Sequence, residues 1–139
     1  MEKNPFTDPS DVFIVGGTPI SIYDVEKHDF LTEENRYLQK ILKIDKPFLG
    51  ICGGGKLLAK LPGAQVKRNP AMEIGCYKVK LTPAGKQSRF FKDFPGEFPV
   101  FQWHGDTFDL PAVDKLLVLG RNCKNQVFAH KKSRALQFR

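Results

Sequence analysis

Cysteine is scarce in this 139-residue chain, and acidic charge falls well short of basic. Only three cysteines occur, and the closest pair, Cys52 and Cys76, lies 24 positions apart. That spacing provides no C-x-x-C zinc pair, and an odd count provides no disulfide framework. A reducing cytoplasm is the expected setting. No stretch approaches the ~20 consecutive apolar residues of a membrane-spanning helix. The opening "MEKNPFTDPSD" also lacks the apolar centre of a signal peptide, so neither a membrane nor export is expected. Fifteen acidic residues against 22 Lys and Arg leave a net charge of +7, which raises the question of a nucleic-acid partner. The basic residues are scattered, however, and no aromatic–basic interleaving accompanies them. The one dense run, "AHKKSR" (Ala129–Arg134), reads as a polar hairpin turn. Nucleic acid is therefore not an expected partner. Repeats, low-complexity tracts and linkers are also lacking.

What is present suits a folded domain. Hydrophobic residues make up 41% and charged residues 27%, and twelve Phe are available to a core. The expectation is one domain over 1–139. "DVFIVGG" (Asp11–Gly17) is a continuously apolar run closed by glycines, which predicts a strand buried on both faces of a parallel sheet. "TPISIYDVEKHDF" reads as an irregular loop. A helix follows over "LTEENRYLQKILKIDK", with Thr32 as cap, Glu33 and Glu34 in its first turn, and Leu38, Ile41 and Leu42 as its buried stripe. "PFLGIC" is a second apolar strand, and "GGKLLAKL" turns helical before "PGA" stops it. The second half changes character: "CYKVKLT", "EFPVFQWH", "DKLLVLGRN", "NQVFAHKK" and "RALQF" are short strands between turns. "SRFFKDFP" has room for a single helical turn. Together these predict an α/β domain with a mixed sheet.

Chemistry concentrates at "GICGG". Gly50-x-Cys52-x-Gly54 is the cysteine counterpart of the G-x-S-x-G nucleophile elbow, set between a strand and a helix. Such a side chain projects from a strained turn, so its neighbours two positions away must be small for strand and helix to pack. The N–H groups and positive dipole end of the following helix favour a thiolate. The Gly53 amide is placed to stabilise an oxyanion, an effect that can contribute ~3 kcal/mol. The alternative is a small buried cysteine at a tight turn, since free cysteine is among the most buried residue types. A phosphate loop is a weaker use of these glycines, because "CGGGKLL" lacks the G-x-x-x-x-G-K-[ST] spacing. In "VGGTPIS", Gly16 and Gly17 end the first strand. If the two strands are parallel neighbours, the Gly17 amide supplies a second oxyanion donor.

Taken together, "DVFIVGGTPISIYD", "KPFLGICGGGKLLAKLPGAQV", "EIGCYKVKLTPAG", "FPVFQWHGDTFDLP" and "NQVFAHKKSRALQF" resemble the class I glutamine amidotransferases, in particular the branch similar to the amidotransferase domain of GMP synthetase. The resemblance implies a three-layer, flavodoxin-like mixed sheet with flanking helices. It also implies a cysteine that hydrolyses the side-chain amide of glutamine through a glutamyl thioester, releasing ammonia. On this footing Cys52 is the nucleophile, and the amides of Gly17 and Gly53 form the oxyanion hole. Gly16, Lys56, Gln102, Trp103, His104, Gly105 and Asp106 line the glutamine pocket. For His104 the bottom-up alternative is a hydrogen-bonded histidine at a strand end. No cofactor and no metal is assigned. The implied partners are glutamine and a synthetase or acceptor domain.

Departures from the pattern qualify the activity. The family carries its base and orienting carboxylate in a His-x-Glu pair directly after the "LQF" strand, where this sequence reads "LQFR". A guanidinium only donates hydrogen bonds, so Arg139 cannot act as a base. The family usually has glutamine at the position of Lys56, which here adds positive potential near Cys52 or crowds the pocket, and a larger residue at that of Gly53. Its leading strand–helix–strand unit is not seen before Asp11. An inactive relative that binds a small amide, or serves as a partner subunit, is the alternative expectation. An exposed sheet edge would favour a homodimer.

Overall fold

A computed structural model describes residues 12–139; for Asp24 and Val25 only the backbone is described. Residues 1–11, including the polar leader and Asp11 of the first apolar run, lie outside the described residues. One seven-stranded sheet runs in the order β1-β2-β7-β6-β5-β3-β4. Its strands are β1 (Phe13–Val15), β2 (Phe48–Ile51), β3 (Val66–Leu81), β4 (Glu97–Phe108), β5 (Lys115–Leu119), β6 (Asn125–His130) and β7 (Ser133–Leu136). β1, β2 and β7 are parallel, with Val15 opposite Gly50 and Gly50 opposite Ala135. The remaining pairs are antiparallel. β7 therefore joins the two halves, because a hairpin ties it to β6 while its other edge runs parallel to β2. The Lys131 backbone turns that hairpin at φ 50°, as expected for "AHKKSR". The mixed flavodoxin-like sheet is the one the resemblance implies.

Helices α1 (Asp29–Lys43) and α2 (Gly53–Lys60) supply one apolar cluster. In it Leu31, Leu38 and Ile41 of α1 and Leu57 and Leu58 of α2 pack with Phe48, Phe108 and Phe128. A second cluster of Val79, Leu81, Leu117, Val118 and Val127 packs with Phe91, close to the short helix α3 (Pro83–Gln87). Thr82 caps α3 by accepting from the Gly85 N–H at 3.0 Å. This helix was not expected from the sequence.

Three expectations change. α1 begins at Asp29, not after Thr32, because Leu31 is drawn into the core and Asp29 already meets the first-turn dipole. Thr32 lies inside the first turn, where its N–H bonds to the His28 carbonyl. The segment read as irregular holds a 3₁₀ turn over Ile22–Lys27, anchored by buried Ile22. β1 is not buried on both faces: among the described residues it is the outermost strand, and Ile14 is 70% exposed.

β3 is also far longer than "CYKVKLT" suggested. Pro70 interrupts its pattern, and the register slips between Arg68 and Glu73, yet pairing with β4 resumes on both sides. Because β5 touches only Lys80 and Leu81 of β3, most of β3 and β4 forms a two-stranded ribbon. Phe108 pins its far end against Phe128 of β6, edge to face at 5.2 Å. That anchor carries residues 103–106 to the carboxyl ends of the parallel strands.

The elbow itself rests on missing side-chain carbons. A Cβ added to Gly50 would lie 2.5 Å from the Gly54 carbonyl oxygen, and one on Gly54 would collide with the Val15 carbonyl. Gly54→Ala is expected to destabilise the fold by about 1–3 kcal/mol through overpacking against backbone. A lowered urea midpoint with an unchanged slope would bear this out, and an unaltered midpoint would refute it.

Candidate active site

Cys52 occupies the junction of β2 and α2 with φ 52° and ψ −100°, a conformation that costs a non-glycine residue roughly 1–3 kcal/mol. Its N–H bonds to the Leu136 carbonyl of β7 at 2.8 Å, and its carbonyl accepts from the Lys56 N–H at 3.1 Å. The strained turn is thus held from both sides. The Gly54 N–H bonds to the Gly16 carbonyl at 3.1 Å, tying the end of β1 to the same helix. Gly53 opens α2, where first-turn N–H groups have no intrahelical partner.

One turn along the helix, Lys56 returns to Cys52. Its Nζ stands 3.7 Å from Cys52 Sγ, and both residues are buried. Helical i, i+4 spacing produces this meeting directly. Both line a cavity of about 450 Å³, a size usual for small-molecule sites. Its other walls are the 18–22 segment after β1, Met72 of β3, residues 103–106 of β4, and Arg139.

The sequence-expected residues divide into three groups. Cys52, Gly53, Lys56, Trp103, His104, Gly105 and Asp106 all face the cavity. Gly17 lies beside it: a Cβ built there would be 3.6 Å from Cys52 Cβ and 3.4 Å from the Arg139 guanidinium. Gly16 and Gln102 stand outside its walls. Gly16 acts through its carbonyl on α2, and Gln102 is fully buried, donating its amide N–H to Gln126 Oε1 at 2.6 Å. Strand alternation turns Gln102 away from Trp103.

Polar groups on the ribbon are locked in place. The Ser21 hydroxyl donates to Asp106 Oδ2 at 3.2 Å. His104 Nδ1 lies 3.0 Å from the Asp106 carbonyl oxygen, which can only accept, so Nδ1 carries the proton. Burial, and next the positive charge of Lys56, push the His104 imidazole down to about 4. Burial pushes the Glu73 carboxyl up. His104 is therefore neutral at pH 7, although its Nε2 stands only 2.9 Å from Glu73 Oε2. At the exit of β7 the Arg139 N–H bonds to the Phe101 carbonyl at 3.0 Å, and its guanidinium lies 5.6 Å from the centre of the Trp103 ring. Ser21, Met72 and Glu73 were not singled out from the sequence. The position of the 18–22 segment at the carboxyl end of a parallel strand was the available signal for Ser21.

The family model described as glutamine amidotransferase class-I matches residues 1–138. The chain belongs to the class I glutamine amidotransferase family. It is 36% identical over 93 residues to a glutamine-hydrolysing GMP synthase of Petrotoga mobilis, covering 67% of this chain and 16% of that one. To the Bacillus subtilis enzyme of the same description it is 30% identical over 136 residues, covering 94% and 24% respectively. A crystal structure of a glutamine amidotransferase from Thermotoga maritima superposes with TM-score 0.90 at 38% identity, over all of this chain and 59% of that one. The chain thus spans between a sixth and a quarter of those synthases and about three-fifths of the Thermotoga chain.

Within the amidotransferase elbow, the Lys56 contact is the feature most open to test. Lys56→Met is expected to slow iodoacetamide modification of Cys52 roughly tenfold, the effect of losing a charge-assisted hydrogen bond of about 1.5 kcal/mol. Exposed Cys76 serves as internal control. Peptide mapping over time measures both rates, and equal loss at the two cysteines would contradict the contact.

Proposed function

We propose that the cavity binds the side-chain amide of glutamine and that Cys52 attacks its carbonyl carbon, with Lys56 carrying the proton. The bond from sulfur to carbon forms as the carbon–nitrogen bond breaks. Cys52 attacks as a thiolate paired with the Lys56 ammonium, and Nζ delivers a proton to the departing nitrogen, which leaves as ammonia. The neutral Lys56 amine then takes a proton from the water that cleaves the glutamyl thioester, so that glutamate leaves and the thiolate–ammonium pair is restored. The amides of Gly17 and Gly53 face the developing oxyanion, and Trp103, Gly105 and Asp106 position the substrate. The carrying observation is the 3.7 Å separation of Lys56 Nζ and Cys52 Sγ in the cavity wall. Lysine serves as the proton carrier beside a nucleophile in other hydrolytic pairs. Residues 1–139 act as one domain in this reading, in a reducing cytoplasm that keeps Cys52 free. Among the described residues no helix is long and apolar enough to cross a membrane. A synthetase domain is the proposed recipient of the ammonia, by analogy with the GMP synthase relatives. Val12 and Ile14 are exposed at β1, the outermost strand among the described residues, which favours pairing with a second copy.

A second reading, binding without turnover, is favoured by one observation: Arg139 fills the β7 exit, where the resemblance implies histidine. Ammonia release from glutamine distinguishes the two. The hydrolytic reading expects release that vanishes in Cys52→Ala and falls by about 100-fold or more in Lys56→Met. Heat of glutamine binding without ammonia would favour the binding module, and full activity in Lys56→Met would remove lysine as the proton carrier.

A further inference from the structure

Behind the cavity, three buried side chains with different donor atoms converge from separate elements. Glu73 of β3 and His104 of β4 are directly paired across the ribbon, so both point to the same face. Cys123 comes from the turn between β5 and β6. One carboxylate oxygen of Glu73, one ring nitrogen of His104 and Cys123 Sγ all lie within 4.8 Å of one another, and it is Nε2 that faces Glu73. Side-chain exposure is 1% at His104 and 3% at Glu73, and neither Nε2 nor Oε2 has a hydrogen-bond partner. With its proton fixed on Nδ1, His104 presents a bare lone pair at Nε2, 2.9 Å from carboxylate oxygen Oε2. Two buried acceptors so close need a proton or a cation between them.

We propose that Glu73 Oε2, His104 Nε2 and Cys123 Sγ bind one divalent metal ion of the zinc class. The mixed oxygen, nitrogen and sulfur set suits zinc better than calcium or magnesium, which take oxygen ligands. Supporting contacts match what such ligands require. The Asp106 carbonyl orients the imidazole through Nδ1–H, Asn122 hydrogen-bonds the Glu73 carboxylate, and Thr107 Oγ1 lies 3.1 Å from Cys123 Sγ, where it can donate to a thiolate. Tetrahedral ligation places donor atoms about 3.4–3.8 Å apart, so the 2.9 Å nitrogen–oxygen pair must open by about 0.5 Å and the widest pair, at most 4.8 Å, must close by no more than about 1.4 Å. Binding releases the Cys123 thiol proton and any proton held by Glu73 to solvent. Carboxylate and thiolate then balance the ion's two positive charges, which reduces repulsion from Lys56. The three ligands also cross-link β3, β4 and the β5–β6 turn, fixing the ribbon that carries His104 to the cavity.

Cobalt(II) gives a direct readout. The purified chain, stripped with chelator and titrated with cobalt, is expected to develop a thiolate-to-metal charge-transfer band at one equivalent, and zinc is expected to displace it. The band should persist in Cys52→Ala and Cys76→Ala and vanish in Cys123→Ser. Glu73→Gln, which conserves shape, should weaken zinc binding about tenfold or more in competition with a chromogenic chelator. No band with the unaltered protein, or one lost with Cys52 and retained in Cys123→Ser, overturns the site.

Discussion

The architecture depends on a place where backbone meets backbone. Gly50 and Gly54 let the end of β2 and the start of α2 approach to a distance that a single Cβ would prevent. That closeness forces Cys52 into positive φ and aims its side chain out of the turn. It also starts α2 early enough that Lys56 returns beside the sulfur after one turn. Strain at one residue is offset by packing around it, as is usual where backbone strain gathers at a candidate site.

The rest of the sheet positions the opposite wall. Parallel β1, β2 and β7 place Gly17, Cys52 and the β7 exit at one edge, while the β3–β4 ribbon folds back over it from the antiparallel half. Phe108 against Phe128 fixes that return, and without it Trp103, His104 and Asp106 would have no reason to meet Cys52. Apolar packing thus determines where polar chemistry gathers. The buried charge of Lys56 is the exception, and the sulfur beside it gives that exception a chemical rationale.

Much of this was legible because local rules and tertiary needs agree. Apolar runs ending in glycine announced β1 and β2, and the glycine spacing around Cys52 announced the elbow. Where the two conflict, the sequence misleads. Pro70 disguised half of β3, since pairing with β4 tolerates a slipped register there. Asp29 starts α1 ahead of the better capping residue Thr32 because Leu31 must be buried. Gln102 and Trp103 are neighbours in sequence, and alternation along a strand was enough to separate them. The Glu73, His104 and Cys123 cluster could not be read from spacing, because its members converge only once the ribbon and the β5–β6 turn are folded.

The central claim is that the elbow holds Cys52 ready to attack a glutamine amide. Intact-mass analysis after exposure to an electrophilic glutamine analogue tests it most directly. The account predicts one adduct, mapped to Cys52 and suppressed by excess glutamine. Modification at exposed Cys76 instead, or labelling of Cys52 that glutamine does not slow, would contradict it.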